Sequence, residues 1–291
     1  MEDDLRGRLG RRARIVREIR GFFDARGFLE VDTPVRISAP APEEHIDCPP
    51  VATGGFLRAS PELQMKKLLA AGLDRIYQIG PCFRDGERGA RHNPEFTMLE
   101  WYRRDAGYLD IADDLERLMS ALAPLSAADS SVRTRSAPPV RLTVREAYRR
   151  FAGWDPWRDF DQDRFDFDMA TKVEPALKEM GGGVFLKDYP PSAASLARLR
   201  DDVAERWEFY WDGLELANCF TELCDGDEQR RRFERARAAR RALGESDYPL
   251  DEEFLASVPL MRSAAGVALG VDRLVMVLTG ADGISGVRLA D

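Results

Sequence analysis

The hydrophobic residues near the start of the chain repeat with the period of an α-helix. Apolar side chains recur every three or four positions, at Ile15, Val16, Ile19, Phe22 and Phe23. Gly27 then provides a stop signal, and the spacing places the apolar side chains on one helix face. We therefore predict an amphipathic helix over residues 12–26.

Three later segments have the character of β-strands. Residues 28–31 (FLEV), three of them apolar, precede Pro34, which lacks the N–H that an interior strand position needs, so extended structure ending at this proline is predicted. Residues 74–79 and 95–103 are also predicted to be strands. Within 95–103, alternation places four side chains on one face: Phe96, Met98, Glu100 and Tyr102. Because unpaired polar groups are costly to bury, a carboxylate beside a phenol indicates a binding face.

A hairpin signal stands in the second half of the chain. Asp212-Gly213 separates WEFYW from LELANCFTEL, and this dipeptide favours a two-residue turn. Residues 121–139, rich in Ala, Ser and Pro, are predicted to be an irregular connection within an insertion at about 105–200. Strands interleaved irregularly with helices indicate an α+β fold around a largely antiparallel sheet, flanked by helices and forming one domain over 1–291.

The composition is that of a globular protein, since 291 residues with 44% hydrophobic content can bury a core. The chain starts without the apolar run of a signal peptide, and Asp272 and Arg273 interrupt the most apolar C-terminal stretch, so a cytoplasmic location is expected.

The cysteines lack the spacing of zinc or redox motifs and are expected to be reduced, mostly buried thiols: Cys48, Cys82, Cys219 and Cys224.

The net charge of −8 gives no support to nonspecific nucleic-acid binding. A local basic run, RRRFERARAARR at residues 230–241, has helical spacing. It is open to two interpretations, contact with an acidic partner or a solvated helix face.

The two histidines, His45 and His92, do not indicate a metal site, and His45 is interpreted as an ordinary loop residue.

No GxxxxGK[ST] loop is present, so any nucleotide must be held by other groups. Arginine can hold phosphate, because its planar guanidinium stays charged and donates two parallel hydrogen bonds to phosphate oxygens. Arg84 directly follows a predicted strand, and Arg273 stands at the head of the apolar helix LVMVL. Considered singly, each would more often be a surface or salt-bridge arginine.

Considered together, three segments resemble the catalytic domain of class II aminoacyl-tRNA synthetases. The region around Pro34, FRDGERGARHNPEF and GVALGVDR correspond to the three motifs of that class, and the resemblance covers nearly the whole chain. RHNPEFTMLE, ELANCFTEL and GVDRLVMVLTG are most similar to lysyl-tRNA synthetases. LEWYR at residues 99–103, together with Ala268, is similar to the stand-alone elongation factor P lysyltransferases.

The resemblance implies a function. ATP would activate a lysine isomer, such as β-lysine, as the adenylate, and the lysyl group would pass to a lysine of elongation factor P. The chain begins shortly before its first-motif helix, so no anticodon-binding domain is expected, and tRNA is not the expected acceptor. A homodimer through that helix is implied as well. Two alternatives stay open, namely a truncated synthetase-like enzyme acting on RNA or a free amine, and a catalytically silent sensor of amino acid or nucleotide.

The resemblance also implies roles for individual residues, with Arg84 on the α-phosphate and Arg273 on the γ-phosphate as the two catalytic groups. The expected ATP contacts are Arg84, Asp85, Gly86, Glu87, Asn93, Glu215, Leu216, Gly270 and Arg273. The expected amino-acid contacts, whose three carboxylates suit two ammonium groups, are Ser60, Pro61, Glu62, Glu100, Tyr102, Asn218 and Glu222. His92, within the second motif, is expected to help position ATP.

Glu208 and Glu215 match the Mg²⁺ ligands of the family, and a two-residue turn places them on one face of the hairpin as a diagonal pair. A surface ion-pair network remains the alternative for Glu208. Simple alternation turns Glu215 away from Asn218 and Glu222, so one shared site requires a β-bulge near Ala217.

The second motif departs from the family pattern at one point. Many members read Phe-Arg-x-Glu, whereas this chain has Gly86 at the glutamate position and Glu87 after it. Whether Glu87 takes over the role stays open.

Overall fold

A computed structural model describes residues 2–44, 46–127, 130–134 and 137–289. His45, interpreted above as a loop residue, lies outside the described residues, as does part of the predicted irregular connection at 121–139. In the described part of that connection, Ala123–Leu125 forms a 3₁₀ turn and Ser131–Thr134 a short helix, so it is not wholly irregular.

The strands of the described residues form one nine-stranded sheet and one small ribbon. Their bounds are β1 (Leu29–Glu30), β2 (Arg36–Ile37), β3 (Phe56–Leu57), β4 (Arg75–Phe83), β5 (Glu95–Arg104), β6 (Val140–Thr143), β7 (Gly183–Tyr189), β8 (Leu199–Arg200), β9 (Val203–Trp211), β10 (Leu214–Thr221) and β11 (Ala264–Gly270). The large sheet has the order β1-β4-β5-β11-β10-β9-β7-β6, with β8 pairing to β9, while β2 and β3 form the ribbon. Pairs β1–β4 and β6–β7 are parallel and the others antiparallel. The predicted α+β class with a largely antiparallel sheet is confirmed.

Helices pack on both faces of this sheet. Their bounds are α1 (Glu2–Asp24), α2 (Glu62–Ala70), α3 (Tyr108–Leu122), α4 (Ser131–Thr134), α5 (Val144–Ala147), α6 (Gln162–Asp168), α7 (Glu174–Met180), α8 (Gly226–Leu243), α9 (Glu252–Ser257) and α10 (Val271–Thr279). In one core cluster α1, α3 and α10 cover a sheet face that includes Trp101, and in the other α2, α5 and α9 pack near Tyr102. Adjacent residues of β5 therefore point to opposite cores, as the alternation predicts.

Helix α1 begins at Glu2, so the predicted start at residue 12 is wrong. The first turns lack an apolar stripe and are held instead by polar contacts with distant segments. Arg8 Nη1 donates to Ser285 O at 3.1 Å, and just beyond these turns Arg12 Nη1 lies 2.6 Å from Asp272 Oδ1. Hydrophobic periodicity carries no information about such contacts.

Strand β4 extends to Phe83, four residues past the predicted end at residue 79. Gly80 and Pro81 are the reason for the early predicted end, since both are poor strand residues. Strand β1 pairs only with Ile76 and Tyr77, so β4 is a sheet edge at Pro81, where a missing N–H costs no ladder hydrogen bond.

The hairpin of β9 and β10 is confirmed at Asp212-Gly213. Both residues have positive φ angles, 47° and 74°, which is the type I′ turn that fits the twist of the two strands. The predicted bulge is confirmed as well. The register shifts between Glu215, opposite Tyr210, and Ala217, opposite Phe209, which leaves Leu216 as the extra residue.

The basic run at residues 230–241 lies on α8, where carboxylates engage most of its arginines. Arg230 pairs with Glu252, and Arg237 pairs with Asp247 at 2.6 Å. Arg240 is fully buried and binds a neighbouring loop. The run thus serves internal ion pairs in addition to a solvated face.

All four cysteines are free thiols, and Cys224 alone is partly exposed. No helix within the described ranges combines the length and apolar character that crossing a bilayer requires.

Candidate active site

A cavity of about 360 Å³, here called the main cavity, opens on the sheet face that carries Tyr102. Its floor follows two adjacent rows of paired residues across β5, β11, β10 and β9. The first row is Glu100, Ala268, Asn218 and Glu208, and the second is Tyr102, Gly266, Phe220 and Arg206. A concave site of this size with a few convergent polar groups suits a small ligand.

The structure brings most predicted site residues to this cavity. Those lining it are Ser60, Glu62, Arg84, Glu87, Asn93, Tyr102, Glu208, Glu215, Leu216, Asn218, Glu222, Gly270 and Arg273. Four predicted residues are not among the lining residues. Glu100 lies just behind Ser60 and Tyr102, Pro61 precedes α2, and Asp85 with Gly86 forms the turn after β4.

Arg84 follows the last residue of β4 and is fixed from both sides. Its backbone N–H donates to Pro94 O at 2.9 Å, and its guanidinium lies 5.2 Å from the centroid of the Phe96 ring. Glu87 Oε1 is 3.5 Å from Arg84 Nη1 and also lines the main cavity. The chain thus places a carboxylate beside this arginine despite the departure at Gly86.

Arg273 stands in the first turn of α10 and reaches across to the hairpin. Nη1 donates to Glu215 O at 3.0 Å, and Nη2 lies 2.7 Å from His92 Nε2. Burial and then the positive charge of Arg273 lower the pKa of His92. A neutral His92 can accept a hydrogen bond from Arg273 and so orient the guanidinium.

Three carboxylates, Glu62, Glu100 and Glu222, form what we call the acidic cluster. Glu100 is fully buried and accepts hydrogen bonds from Ser60 Oγ at 2.5 Å and from Tyr102 OH at 2.9 Å. Burial, then repulsion from Glu62, raises the pKa of Glu100 to about 7. Burial also raises the pKa of Glu222 to about 8, against the lowering effect of Lys66.

The Tyr102 ring lies flat across Gly266 of the adjacent strand. A Cβ atom at residue 266 would come within 2.1 Å of the ring carbons. Only glycine therefore allows this ring position, which presents the tyrosine hydroxyl to Glu100. The third motif thus shapes the floor of the main cavity as well as supplying Arg273.

Lys66 was missed by the sequence reasoning. Its side chain is 2% exposed, and Nζ lies 2.5 Å from Glu222 Oε2 while also contacting Glu62. The two carboxylates raise the pKa of Lys66, against the lowering effect of burial. One available signal was the i,i+4 spacing from Glu62, which places both side chains on one face of α2.

Glu208 and Glu215 share one face of the hairpin through the two-residue turn, and the Leu216 bulge brings Asn218 and Glu222 to that same face. Glu208 Oε1 is 2.5 Å from Arg206 Nη2, and its Oε2 accepts from Tyr210 OH at 2.6 Å. Burial and then the charge of Glu208 raise the pKa of Glu215 to about 7. This repulsion is what a bound cation would relieve, and Mg²⁺ is commonly held by one or two carboxylates plus substrate phosphates, so the pair fits that ion. Within the described ranges, no group of three or more metal-ligating side chains occurs.

Arg206 is a second cavity residue that the sequence reasoning missed. Its Nε donates to Asn218 Oδ1 at 3.2 Å, and its guanidinium lies 4.3 Å from the centroid of the Tyr189 ring. It thereby fixes the amide of Asn218 and one oxygen of Glu208. The available signal was its position two residues before Glu208 on the same strand face.

These features, two arginines and an acidic cluster on an antiparallel sheet, define a class II synthetase catalytic domain. A family model for the class II tRNA synthetases (D, K and N) matches residues 1–289, so the chain belongs to that family and the predicted fold family is confirmed.

Within that family, eight similar curated proteins carry the name elongation factor P–(R)-β-lysine ligase. The protein of Proteus mirabilis is 37% identical, with 95% of this chain and 92% of the relative covered. The protein of Mannheimia succiniciproducens is 38% identical, with 94% and 91% covered, and that of Edwardsiella ictaluri is 39% identical, with 94% and 92% covered. The predicted resemblance to this group of stand-alone ligases is thus confirmed.

Proposed function

We propose that this chain uses ATP to activate (R)-β-lysine as its adenylate and then transfers the β-lysyl group to a lysine side chain of elongation factor P. The observation that carries this proposal is that Arg84, Arg273 and the acidic cluster line or back one cavity. Guanidinium groups recognise phosphate, and several carboxylates recognise a ligand with two ammonium groups. The relatives named above are named for this ligation.

In the first step the carboxylate of β-lysine attacks the α-phosphorus of ATP, and the bond to pyrophosphate breaks. Arg84 would bind the α-phosphate, where charge develops in the transition state, and Arg273 would bind the γ-phosphate and hold the triphosphate bent. Asn93, Glu87, Leu216 and Gly270 would contact the rest of the nucleotide. Glu208 and Glu215 would hold Mg²⁺, which neutralises phosphate charge when bound.

The amino acid would lie across the floor of the main cavity with its ammonium groups toward the acidic cluster. Tyr102, Ser60 and Asn218 would orient it, since each is itself fixed by a hydrogen bond to a neighbouring side chain. This arrangement favours diamino acids over neutral analogues, because a monoamine would leave buried carboxylates without a partner.

Pyrophosphate exchange tests the activation step. With (R)-β-lysine, the protein should exchange labelled pyrophosphate into ATP, whereas norleucine, which lacks the side-chain ammonium, should support little exchange. Absence of exchange with every diamino acid would reject the proposal.

The acceptor is tested separately, by mass spectrometry after incubation with purified elongation factor P or with tRNA. A mass increase of one β-lysyl group on elongation factor P is expected. Charging of tRNA alone would favour the truncated-synthetase alternative instead.

We also propose a homodimer formed through α1 and the sheet edge at β1. Leu29 on this edge is 54% exposed, and the partner subunit of such a dimer would cover it. Sedimentation should give a dimer at micromolar concentration, and Leu29→Lys should shift it toward monomer. A monomeric native protein would contradict the dimer.

A further inference from the structure

A second cavity of about 470 Å³, here called the side cavity, adjoins the main cavity. Six residues line both: Glu43, Ser195, Leu196, Arg206, Glu208 and Glu215. Residues of the insertion, including Phe165 and Met169, and residues of α8, including Arg232, form the far walls. The side cavity therefore offers a second route to the place where the adenylate would form.

Glu43 stands at this junction with its carboxylate uncommitted. Among the described residues, no hydrogen bond or ion pair to its side-chain oxygens is seen, whereas the other carboxylates at the junction, Glu208 and Glu215, have such partners. Its backbone, in contrast, is firmly held. The buried Arg240 donates from Nη1 to Glu43 O at 2.7 Å and to Ile46 O at 3.1 Å, and from Nη2 to Asp47 Oδ1 at 2.5 Å.

Glu43 lines the main cavity together with Arg84 of the nucleotide end and Glu62 of the diamine end. The charged groups that act electrostatically on Glu43 come from several elements: Glu62 and Lys66 of α2, Arg84 after β4 and Arg206 of β9, with Cys48 on its own loop. Arg84 marks the α-phosphate, and Glu62 marks the diamine end. Glu43 lines the same cavity as both groups, so it can face the acyl phosphate that joins the two ends of the adenylate. Burial is the main cause that raises the pKa of Glu43, which makes it a stronger base than an exposed glutamate.

We propose that Glu43 binds the ammonium group of the acceptor lysine, which arrives through the side cavity, and takes its proton; this inference rests on the proposed function. One proton passes from the ammonium to the Glu43 carboxylate. The freed nitrogen lone pair forms the C–N bond at the acyl carbon, and the C–O bond to phosphate breaks with its electron pair leaving on AMP. The second nitrogen proton leaves to water as the amide forms, and Glu43 then releases its own proton to solvent.

The test measures transfer alone. The native protein and Glu43→Gln are loaded with (R)-β-lysine and ATP, the protein–adenylate complex is isolated, and elongation factor P is added in a single turnover. Glu43→Gln should transfer about 10²–10⁴-fold more slowly at pH 7, the usual contribution of a general base. Glu179→Gln, at an exposed glutamate of α7 that lines neither cavity, is the matched control and should stay within about twofold of native.

Two further measurements separate proton transfer from a structural effect. The deficit of Glu43→Gln should shrink as pH rises from 7 to 9, because a free lysine has a pKa of about 10.4 and its unprotonated fraction grows about tenfold per pH unit. Hydroxylamine, which is unprotonated at neutral pH, should capture the acyl group from the Glu43→Gln adenylate at close to the native rate.

Three outcomes would overturn the inference. They are native-like transfer to elongation factor P by Glu43→Gln, a deficit that does not change with pH, and an equal loss with hydroxylamine. A native protein that forms no adenylate would instead reject the proposed function, and the inference with it.

Discussion

The two halves of the main cavity carry charge in different ways. The nucleotide half uses Arg84 and Arg273, and guanidinium groups stay protonated across the accessible pH range. The amino-acid half uses buried carboxylates whose pKa values lie near neutrality, about 7 for Glu100 and about 8 for Glu222. Fixed charge suits a ligand that is always anionic. Because the carboxylates titrate, recognition of the diamine depends on the groups that surround these carboxylates, including Lys66.

The largest effect should come from the nucleotide half. Arg84→Ala should lower the rate of pyrophosphate exchange by about 10²–10³-fold or more, because the lost contact acts on charge that develops in the transition state. The loss should be similar from pH 6.5 to 8.5. Arg88→Ala, at an exposed arginine of the same segment, serves as the control and should exchange normally. Full activity of Arg84→Ala would mean that the phosphate site is misplaced.

The next largest effect should come from the amino-acid half and appear in a different parameter. Glu222→Gln should raise KM for (R)-β-lysine by about 10- to 100-fold, because a hydrogen bond to a charged group is worth about 1.5–3 kcal/mol. KM for ATP should change little. Exchange kinetics with each substrate varied in turn measure both values. Equal increases in the two KM values would contradict the division of the cavity into two halves.

Substitution of Lys66 tests the difference between the two halves of the main cavity through the pH dependence of diamine binding. A carboxylate with a raised pKa is neutral below that pKa, so affinity for the diamine should fall as pH drops from about 8.5 toward 6. Lys66→Met removes the cation that lowers the pKa of Glu222, so this fall should begin about one pH unit higher. The measurement is KM for β-lysine against pH.

Lys66→Arg retains the charge and is the control for Lys66→Met, with thermal unfolding followed for both. An unchanged pH profile in a folded Lys66→Met would show that Lys66 does not tune the acidic cluster.

The smallest effect should follow a substitution that changes the shape of the cavity floor and leaves its charges unchanged. Gly266→Ala would push the Tyr102 ring off the cavity floor and should raise KM for β-lysine by roughly tenfold, on the order of the 1–3 kcal/mol that small changes in pocket shape cost. Gly10→Ala, where an added Cβ meets no neighbouring atom, is the control. Native kinetics for Gly266→Ala would mean that the ring position does not matter.

Local pattern was sufficient for much of this structure. Strand alternation placed Glu100 and Tyr102 on one face, and the Asp212-Gly213 dipeptide fixed the hairpin, because both signals depend on neighbouring residues. The start of α1 and the end of β4 could not be predicted in this way. They depend on the contact of Arg8 with Ser285 and on Pro81 facing a sheet edge, which are tertiary facts.

The site shows the same division. Arg84 and Arg273 stand in long motifs and were found through resemblance, whereas Lys66 and Arg206 are ordinary helix and strand residues until the fold buries them beside carboxylates. Glu43 lies in a loop whose position is set by Arg240, 197 residues further along the chain. A contact between residues so far apart in the chain leaves no signal in the local sequence pattern.

Because of the bulge at Leu216, the number of residues between Glu215 and Glu222 decides which side chains face the main cavity. Removing Ala217 would leave every predicted site residue in the sequence, yet Asn218, Phe220 and Glu222 would rotate to the opposite side of the strand. A homologue that has lost this residue would therefore keep the motif while its carboxylates pointed into the packed core. In this segment, the site depends on the number of residues as strictly as on which amino acids are present.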